Sequence, residues 1–182
     1  MSIHVVFETH STSEDNELGR ASGWAHSRLS EAGRSQAERL GVRRRNDNLA
    51  AVFSSDLLRA VETALIAVGT SGIPILLDWR LRECDYGDET QAPVARHHAT
   101  RCDHLRTPYP NGESWEQAIQ RVARFLDDLS LRWSDTRVLV IGHVATRWAL
   151  DHLVHGTPLA DLCARDFAWQ EGWEYELDRY SS

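Results

Sequence analysis

"IHVVFETHSTSEDN", residues 3 to 16, decides how the chain is read. Its first five residues form a short apolar run in which β-branched side chains dominate, which predicts a buried strand. The run delivers His10 into the polar, glycine-bearing stretch 8–29, which predicts a loop. In open α/β sheets, ligands bind outside the carboxyl ends of the strands. His10 is therefore placed where such a fold would present a reacting group. Two neighbours fit that position poorly: acidic Glu8 and neutral Thr9.

Working outward, strands and helices alternate. "SEAGRSQAERLGVRRR" (30–45) predicts a helix with Ser30 as N-cap and Ala37, Leu40 and Val42 on the buried face. "LAAVFSS" (49–55) predicts a second strand. "DLLRAVETALIAVG" (56–69) predicts a helix buried through Leu58, Val61, Leu65 and Val68 and stopped by Gly69. "IPILLDW" (73–79) reads as a third strand. The segment 84–113 is mixed, with Pro93, Pro108 and Pro110 bounding a short helix. "SWEQAIQRVARFLDDLSLRW" (114–133) is the longest helical pattern, opened by Ser114. "RVLVIGH" (137–143) is a fourth strand, and "ATRWALDHLVHG" (145–156) a helix stopped by Gly156. A final helical turn and the strand "WEYEL" (173–177) follow. The last has the character of an edge strand, able to pair with another copy in a homodimer. Alternation without repeat or linker predicts one α/β domain over 1–182 with a mostly parallel sheet. In that fold His10, Ser54, Ser55, Glu83 and His143, each just past an apolar run, converge at one sheet edge.

Composition narrows the function. The chain has 182 residues and a formal charge of −7, which disfavours non-specific nucleic-acid binding through counterion release. It contains no lysine, which excludes Schiff-base chemistry and a P-loop. Cys84, Cys102 and Cys163 are scattered and odd in number, the pattern of a reducing compartment and not of a disulfide framework. No basic leader with an apolar core opens the sequence, and no stretch approaches the ~20 apolar residues of a membrane span. The expectation is a cytoplasmic protein with no membrane partner.

"THSTSEDNELGRASGWAHSRLSEAGRSQA" resembles the opening of the histidine phosphatase superfamily, which includes the cofactor-dependent phosphoglycerate mutases. That opening runs Arg-His-Gly, an Asn, Gly-Trp, then a Leu-Thr-x-x-Gly-x-x-Gln-Ala helix start. The same frame gives His10, Asn16, Gly23-Trp24 and "LSEAGRSQA" without a gap. "SSDLLRAVETA" resembles the second motif and places its arginine at Arg59. "LRECDYGD" places the family's acid at Glu83, with Asp85 and Asp88 as competing carboxylates. "NGESWEQ" resembles the start of the long helix, and "VLVIGHVATRWAL" places the last histidine at His143.

The resemblance implies a three-layer α/β/α, phosphoglycerate mutase-like fold and a small phosphorylated substrate, with no cofactor and no metal. It implies a hydrolase in which neutral His10 attacks phosphorus, splitting one hard step into two. Arg59 would donate charged hydrogen bonds to the phosphoryl oxygens, and a protonated His143 would add a second positive donor. Glu83 would give a proton to the leaving oxygen and then take one from water, which requires a raised pKa. Asn16 would be a further phosphate ligand, and segment 84–113 a lid over the substrate. A non-catalytic phospho-ligand binder and a mutase are the alternative readings.

The departures matter as much. Thr9 stands where the family has arginine, and Ser11 where it has glycine. A charged hydrogen bond is worth about 1.5–3 kcal/mol and a neutral one about 1. Losing about 1–2 kcal/mol slows chemistry roughly five- to thirtyfold. Glu8 would repel a phosphate unless paired. Arg20 and Arg147 are the candidates to neutralise Glu8 or to reach the phosphate beside Thr9. Three bland readings accompany these: Trp24 as packing, "RRR" at 43–45 as a solvated helix end, and "RHHATRCDH" (96–104) as a polar helix lacking any recognisable zinc spacing.

Overall fold

The computed structural model describes residues 2–178. Five strands form one sheet in the order β3-β2-β4-β1-β5. These are β1 (Ser2–Thr9), β2 (Ala51–Ser54), β3 (Ile75–Leu77), β4 (Arg137–Gly142) and β5 (Trp173–Asp178). All neighbours are parallel except β5, which runs antiparallel to β1 at one edge. The helices are α1 (Glu14–Glu17), α2 (Glu31–Arg44), α3 (Leu58–Val68), α4 (Val94–Thr100), α5 (Trp115–Arg132), α6 (Val144–His155) and α7 (Leu159–Ala164). This is the expected three-layer α/β/α arrangement.

Side-chain alternation divides the core. Val5 and Phe7 of β1, with Val138 and Val140 of β4, pack against α5 and α6. Val6, Leu139 and Ile141 point the other way, toward Leu40 of α2 and Ala60 and Ala64 of α3. Glu8 shares the side of Val6 and lies beneath the end of α2.

Start and stop signals act as read. Ser30 and Ser114 cap α2 and α5 by accepting from the Gly33 and Gln117 amides, and Gly156 ends α6 in a left-handed turn. Three expectations need correcting. The loop 8–29 contains α1, closed by a reciprocal Ser13–Asn16 capping box. Strand β3 is shorter than 73–79, because Trp79–Leu81 turn into a 3-10 helix capped by Asp78. The inward faces also differ: Val42 is exposed, Leu58 and Val61 are half-buried, and Leu65 is 54% exposed. Helix α3 instead turns Arg59, Ala60, Thr63, Ala64 and Val68 inward. That face of mostly small residues lets the helix sit close to the sheet while delivering Arg59 to its carboxyl end.

The cysteine expectation is also overturned. Cys102 and Cys163, 61 positions apart, form a disulfide, while Cys84 is free and buried. Sequence spacing gave no hint, because only the fold brings the 3-10 helix Arg101–His104 against α7. Arg101 reinforces the junction by donating to the Cys163 carbonyl at 2.9 Å and the Arg165 carbonyl at 2.7 Å. Cys102→Ser/Cys163→Ser is expected to lower stability by about 2–4 kcal/mol in urea unfolding, relative to the oxidised wild type. An unchanged midpoint would show that the crosslink does not restrain the unfolded chain.

Candidate active site

The site forms where β1, β2 and β4 end. The His10 amide extends the β1–β4 ladder by donating to the Gly142 carbonyl at 3.0 Å. His10 Nδ1 lies 2.8 Å from the Ser11 carbonyl, which can only accept, so Nδ1 carries the proton and Nε2 keeps its lone pair. Arg59 Nε donates to that lone pair at 3.2 Å. Burial, with the Arg59 charge acting in the same direction, lowers the His10 pKa to about 3. The ring is neutral at physiological pH.

Arg59 is 2% exposed. Its Nη2 donates to the Gly23 carbonyl at 2.8 Å and its Nη1 to the Ala25 carbonyl at 3.3 Å. Gly23 adopts φ +50°, a backbone that favours glycine, and so turns its carbonyl toward the guanidinium. Nη2 also lies 3.4 Å from His143 Nδ1. A guanidinium has no acceptor, so His143 Nδ1 accepts and Nε2 carries the proton. Burial and then the Arg59 charge push the His143 pKa well below its usual value. The condition for a second positive donor, a protonated His143, is not met in the free protein, where the ring is a neutral N–H donor. Its Nε2 is buried and has no hydrogen-bond partner among the described residues. Such an orphan costs about 1–3 kcal/mol, which an incoming oxyanion would recover. The two imidazole centroids are 5.0 Å apart.

Glu83 faces this pair. Its Oε1 accepts from the Cys84 and Ala145 amides at 2.9 and 3.0 Å, and its Oε2 from the Val144 amide at 3.2 Å. Burial raises its pKa, although those amides and Arg59 pull the other way. Asp85 instead accepts from the Gly87 amide, and Asp88 from Asn111 at the surface. Of the three carboxylates, only Glu83 lines the cavity in front of His10.

That cavity has a volume of about 780 Å³, and Thr9, Asn16, Arg20, Arg59, Glu83 and His143 share its wall with His10. Asn16 Oδ1 is engaged by Ser13, which leaves the NH2 group as its donor. Arg20 is an exposed cation at the rim. Val94, His97 and His98 of segment 84–113 form another part of the wall. Arg147 is not in the wall. Its Nε pairs with Asp151 at 2.8 Å, and its guanidinium lies 4.4 Å from the Trp173 ring centroid, tying α6 to β5.

Glu8 is paired, but by neither expected arginine. Its Oε1 accepts from Arg43 Nη2 at 2.9 Å and from Arg44 Nη2 and Nε at 2.7 and 3.0 Å. The triplet 43–45 is therefore not simply a solvated end, since only Arg45 is exposed. Gly172, at φ +81°, allows the chain to pass; a Cβ there would lie 2.0 Å from Arg44 Nη2. The available signal was strand alternation, which puts an acid on the α2 side of β1, where burial demands a cation.

The chain matches the family model of the histidine phosphatase superfamily (branch 1) over residues 6–171, and it belongs to that family. It is 31% identical over 144 residues to the bifunctional protein Rv2228c of Mycobacterium tuberculosis, covering 74% of this chain but only 39% of that one. It thus spans about two-fifths of that relative. It is 31% identical over 152 residues to a 2,3-bisphosphoglycerate-dependent phosphoglycerate mutase of Cytophaga hutchinsonii, covering 76% and 71% of the two chains. It is 25% identical over 166 residues to phosphoserine phosphatase 1 of Hydrogenobacter thermophilus, covering 87% and 79%. Among solved structures, YhfR of Bacillus stearothermophilus superposes with a TM-score of 0.80 at 30% identity, covering 93% and 88%.

Two outcomes follow from the site's electrostatics. Arg44→Ala leaves Glu8 buried beside Arg43 alone and is expected to lower stability by about 3–5 kcal/mol in urea unfolding; a loss below about 1 kcal/mol would contradict the buried-pair account. His10 and His97 have folded pKa values of about 3 and about 4 against 6.5 unfolded. The unfolded chain then binds more protons below pH 6.5, so stability is full above that pH and falls as pH drops toward 3. Each group contributes a slope of about 1.4 kcal/mol per pH unit. Urea midpoints between pH 7 and 4.5 should fall accordingly, and less steeply in His10→Asn.

Proposed function

We propose that the chain is a metal-independent phosphomonoester hydrolase acting on a small phosphorylated substrate through a phosphohistidine on His10. The observation that carries this reading is the pair of rings on Arg59: His10 holds its Nε2 lone pair toward Arg59 Nε, and the neighbouring His143 holds an Nε2–H without a partner among the described residues. A neutral imidazole meets a phosphate dianion without charge repulsion. In the first step Nε2 attacks phosphorus, the P–O bond to the leaving group breaks, and protonated Glu83 gives its proton to the departing oxygen. Arg59 releases the lone pair and turns its N–H groups onto the nonbridging oxygens. His143 donates to the same oxygens, and the adjoining dianion raises its proton affinity. In the second step the Glu83 carboxylate takes a proton from water, the water oxygen attacks phosphorus, and the P–N bond breaks. Inorganic phosphate leaves and neutral His10 returns.

Thr9 supplies at most a neutral hydrogen bond to this phosphate, and Asn16 and Arg20 reach it from the loop side. With Glu8 neutralised by Arg43 and Arg44, the approach is free of its repulsion. Segment 84–113 acts as the lid that selects the leaving group. A phosphomonoester panel assayed in EDTA tests the proposal. Wild type should turn over at least one ester and yield an acid-labile, base-stable phosphoenzyme. His10→Ala should lose both, with turnover falling by more than about 10³-fold. Ligand binding without turnover or a trapped phosphoenzyme would overturn the hydrolase in favour of a binder. Isomerisation of 3-phosphoglycerate in the presence of its bisphosphate would favour a mutase.

A further inference from the structure

Arg121 of α5 is 1% exposed, yet nothing in the phosphate chemistry above uses it. Its guanidinium sits at the centre of the turn that carries Glu83. Nη1 donates to the carbonyls of Arg80 at 2.7 Å and Arg82 at 3.0 Å, and Nη2 donates to the carbonyl of Glu83 at 3.2 Å. The opposite edge is held by Glu113, whose carboxylate accepts from Nε at 3.0 Å and from Nη2 at 2.7 Å. A planar fork with five donors suits this task, which a lysine point charge cannot reproduce. Trp24 completes the grip, since its indole N–H donates to the same Glu83 carbonyl at 2.7 Å.

We propose that Arg121 and Trp24 are positioning residues that fix the backbone of residue 83, and so aim the Glu83 carboxyl at the leaving-group oxygen. The inference rests on Glu83 being the general acid. Three features carry it. First, both donors reach the carbonyl of the acid itself, and Arg121 holds the carbonyls of Arg80 and Arg82 alongside it. Second, Glu113 balances the Arg121 charge locally, so Arg121 acts through geometry. Third, Glu113 also accepts from the Asp85 amide with Oε2, its own amide donates to the Asp85 carbonyl, and its carbonyl accepts from the Tyr109 amide. The clamp therefore joins the acid's turn to the far end of segment 84–113, which makes Glu83 orientation sensitive to how that segment sits over a substrate. Displacement of a reacting group by about 1 Å can cost about 10²-fold in rate.

Leaving-group dependence separates positioning from general loss of structure. A 4-nitrophenolate leaves with little help from an acid, whereas an alkoxide needs its proton. The ratio of kcat/KM on 4-nitrophenyl phosphate to kcat/KM on an alkyl phosphate is measured for wild type, Glu83→Gln, Trp24→Phe, Arg121→Lys and Arg121→Met. Glu83→Gln should raise the ratio by about 10²–10⁴-fold. Trp24→Phe and Arg121→Lys should raise it in the same direction by about tenfold, Arg121→Lys less than Arg121→Met. Arg121→Met strands Glu113, so if it does not fold the other two variants decide. A ratio that moves in Glu83→Gln but stays at the wild-type value in Trp24→Phe and Arg121→Lys overturns the positioning role alone. A ratio that Glu83→Gln leaves unmoved, or a wild type that hydrolyses neither ester, overturns the reading of Glu83 and this inference with it.

Discussion

The site depends on one buried cation. Arg59 lies between two imidazoles, is anchored by two loop carbonyls, and leaves each ring only one tolerable protonation state. A guanidinium cannot be deprotonated in practice and cannot accept a hydrogen bond. Each ring nitrogen that faces it must therefore offer a lone pair. For His10 this keeps the lone pair on Nε2, where Arg59 Nε donates to it. For His143 it leaves the proton on the far nitrogen, buried and without a hydrogen-bond partner among the described residues. Such preorganised dipoles cost nothing to reorient during reaction, which is why they dominate many catalytic terms. Burial weakens the hold of Arg59 on its own proton, and Glu83 opposes that weakening. The Glu83 carboxylate and the Arg59 cation thus favour one another's charged form across the site.

The fold serves that cation. Helix α3 can bring Arg59 to the sheet edge because its inward residues are mostly small. The strands β1 and β4 lie side by side, so the histidines that follow them must be neighbours. Thr9 brings no charge to this arrangement and stays in the β1–β4 ladder opposite Gly142. The acidic residue beside it is answered on the other face of the sheet by α2. Glu8, Arg43 and Arg44 form an ionic network that extends to Asp47 and Glu171 and whose geometry relies on Gly172. Glu8 and Arg43 also line the cavity beside His10, so the pairing neutralises an acid at its wall.

Strand and helix order, the caps at Ser30 and Ser114 and the stop at Gly156 were legible because they rest on local chemistry. The convergence of His10, Glu83 and His143 was legible because parallel strands place their carboxyl ends together, whereas Arg59, on α3, was placed only by the resemblance of its motif. What escaped was non-local. Whether Leu65 or Ala64 faces the sheet is set by how closely α3 approaches it, which periodicity does not contain. The Cys102–Cys163 pairing and the Glu8 arginines join segments far apart in sequence. Arg147 looked available because it stands one helical turn from His143, yet Asp151 and the Trp173 ring claim it. Protonation of His143 depended on a neighbour's distance, which no pattern supplies.

Nitrogen-15 NMR of histidine-labelled protein, with His10→Asn and His143→Asn to assign the signals, tests the central claim most directly. Between pH 5 and 8 both rings should stay neutral, His10 protonated on Nδ1 and His143 on Nε2. Titration of either ring near its ordinary pKa of about 6.5, or the opposite tautomer on His10, would contradict it.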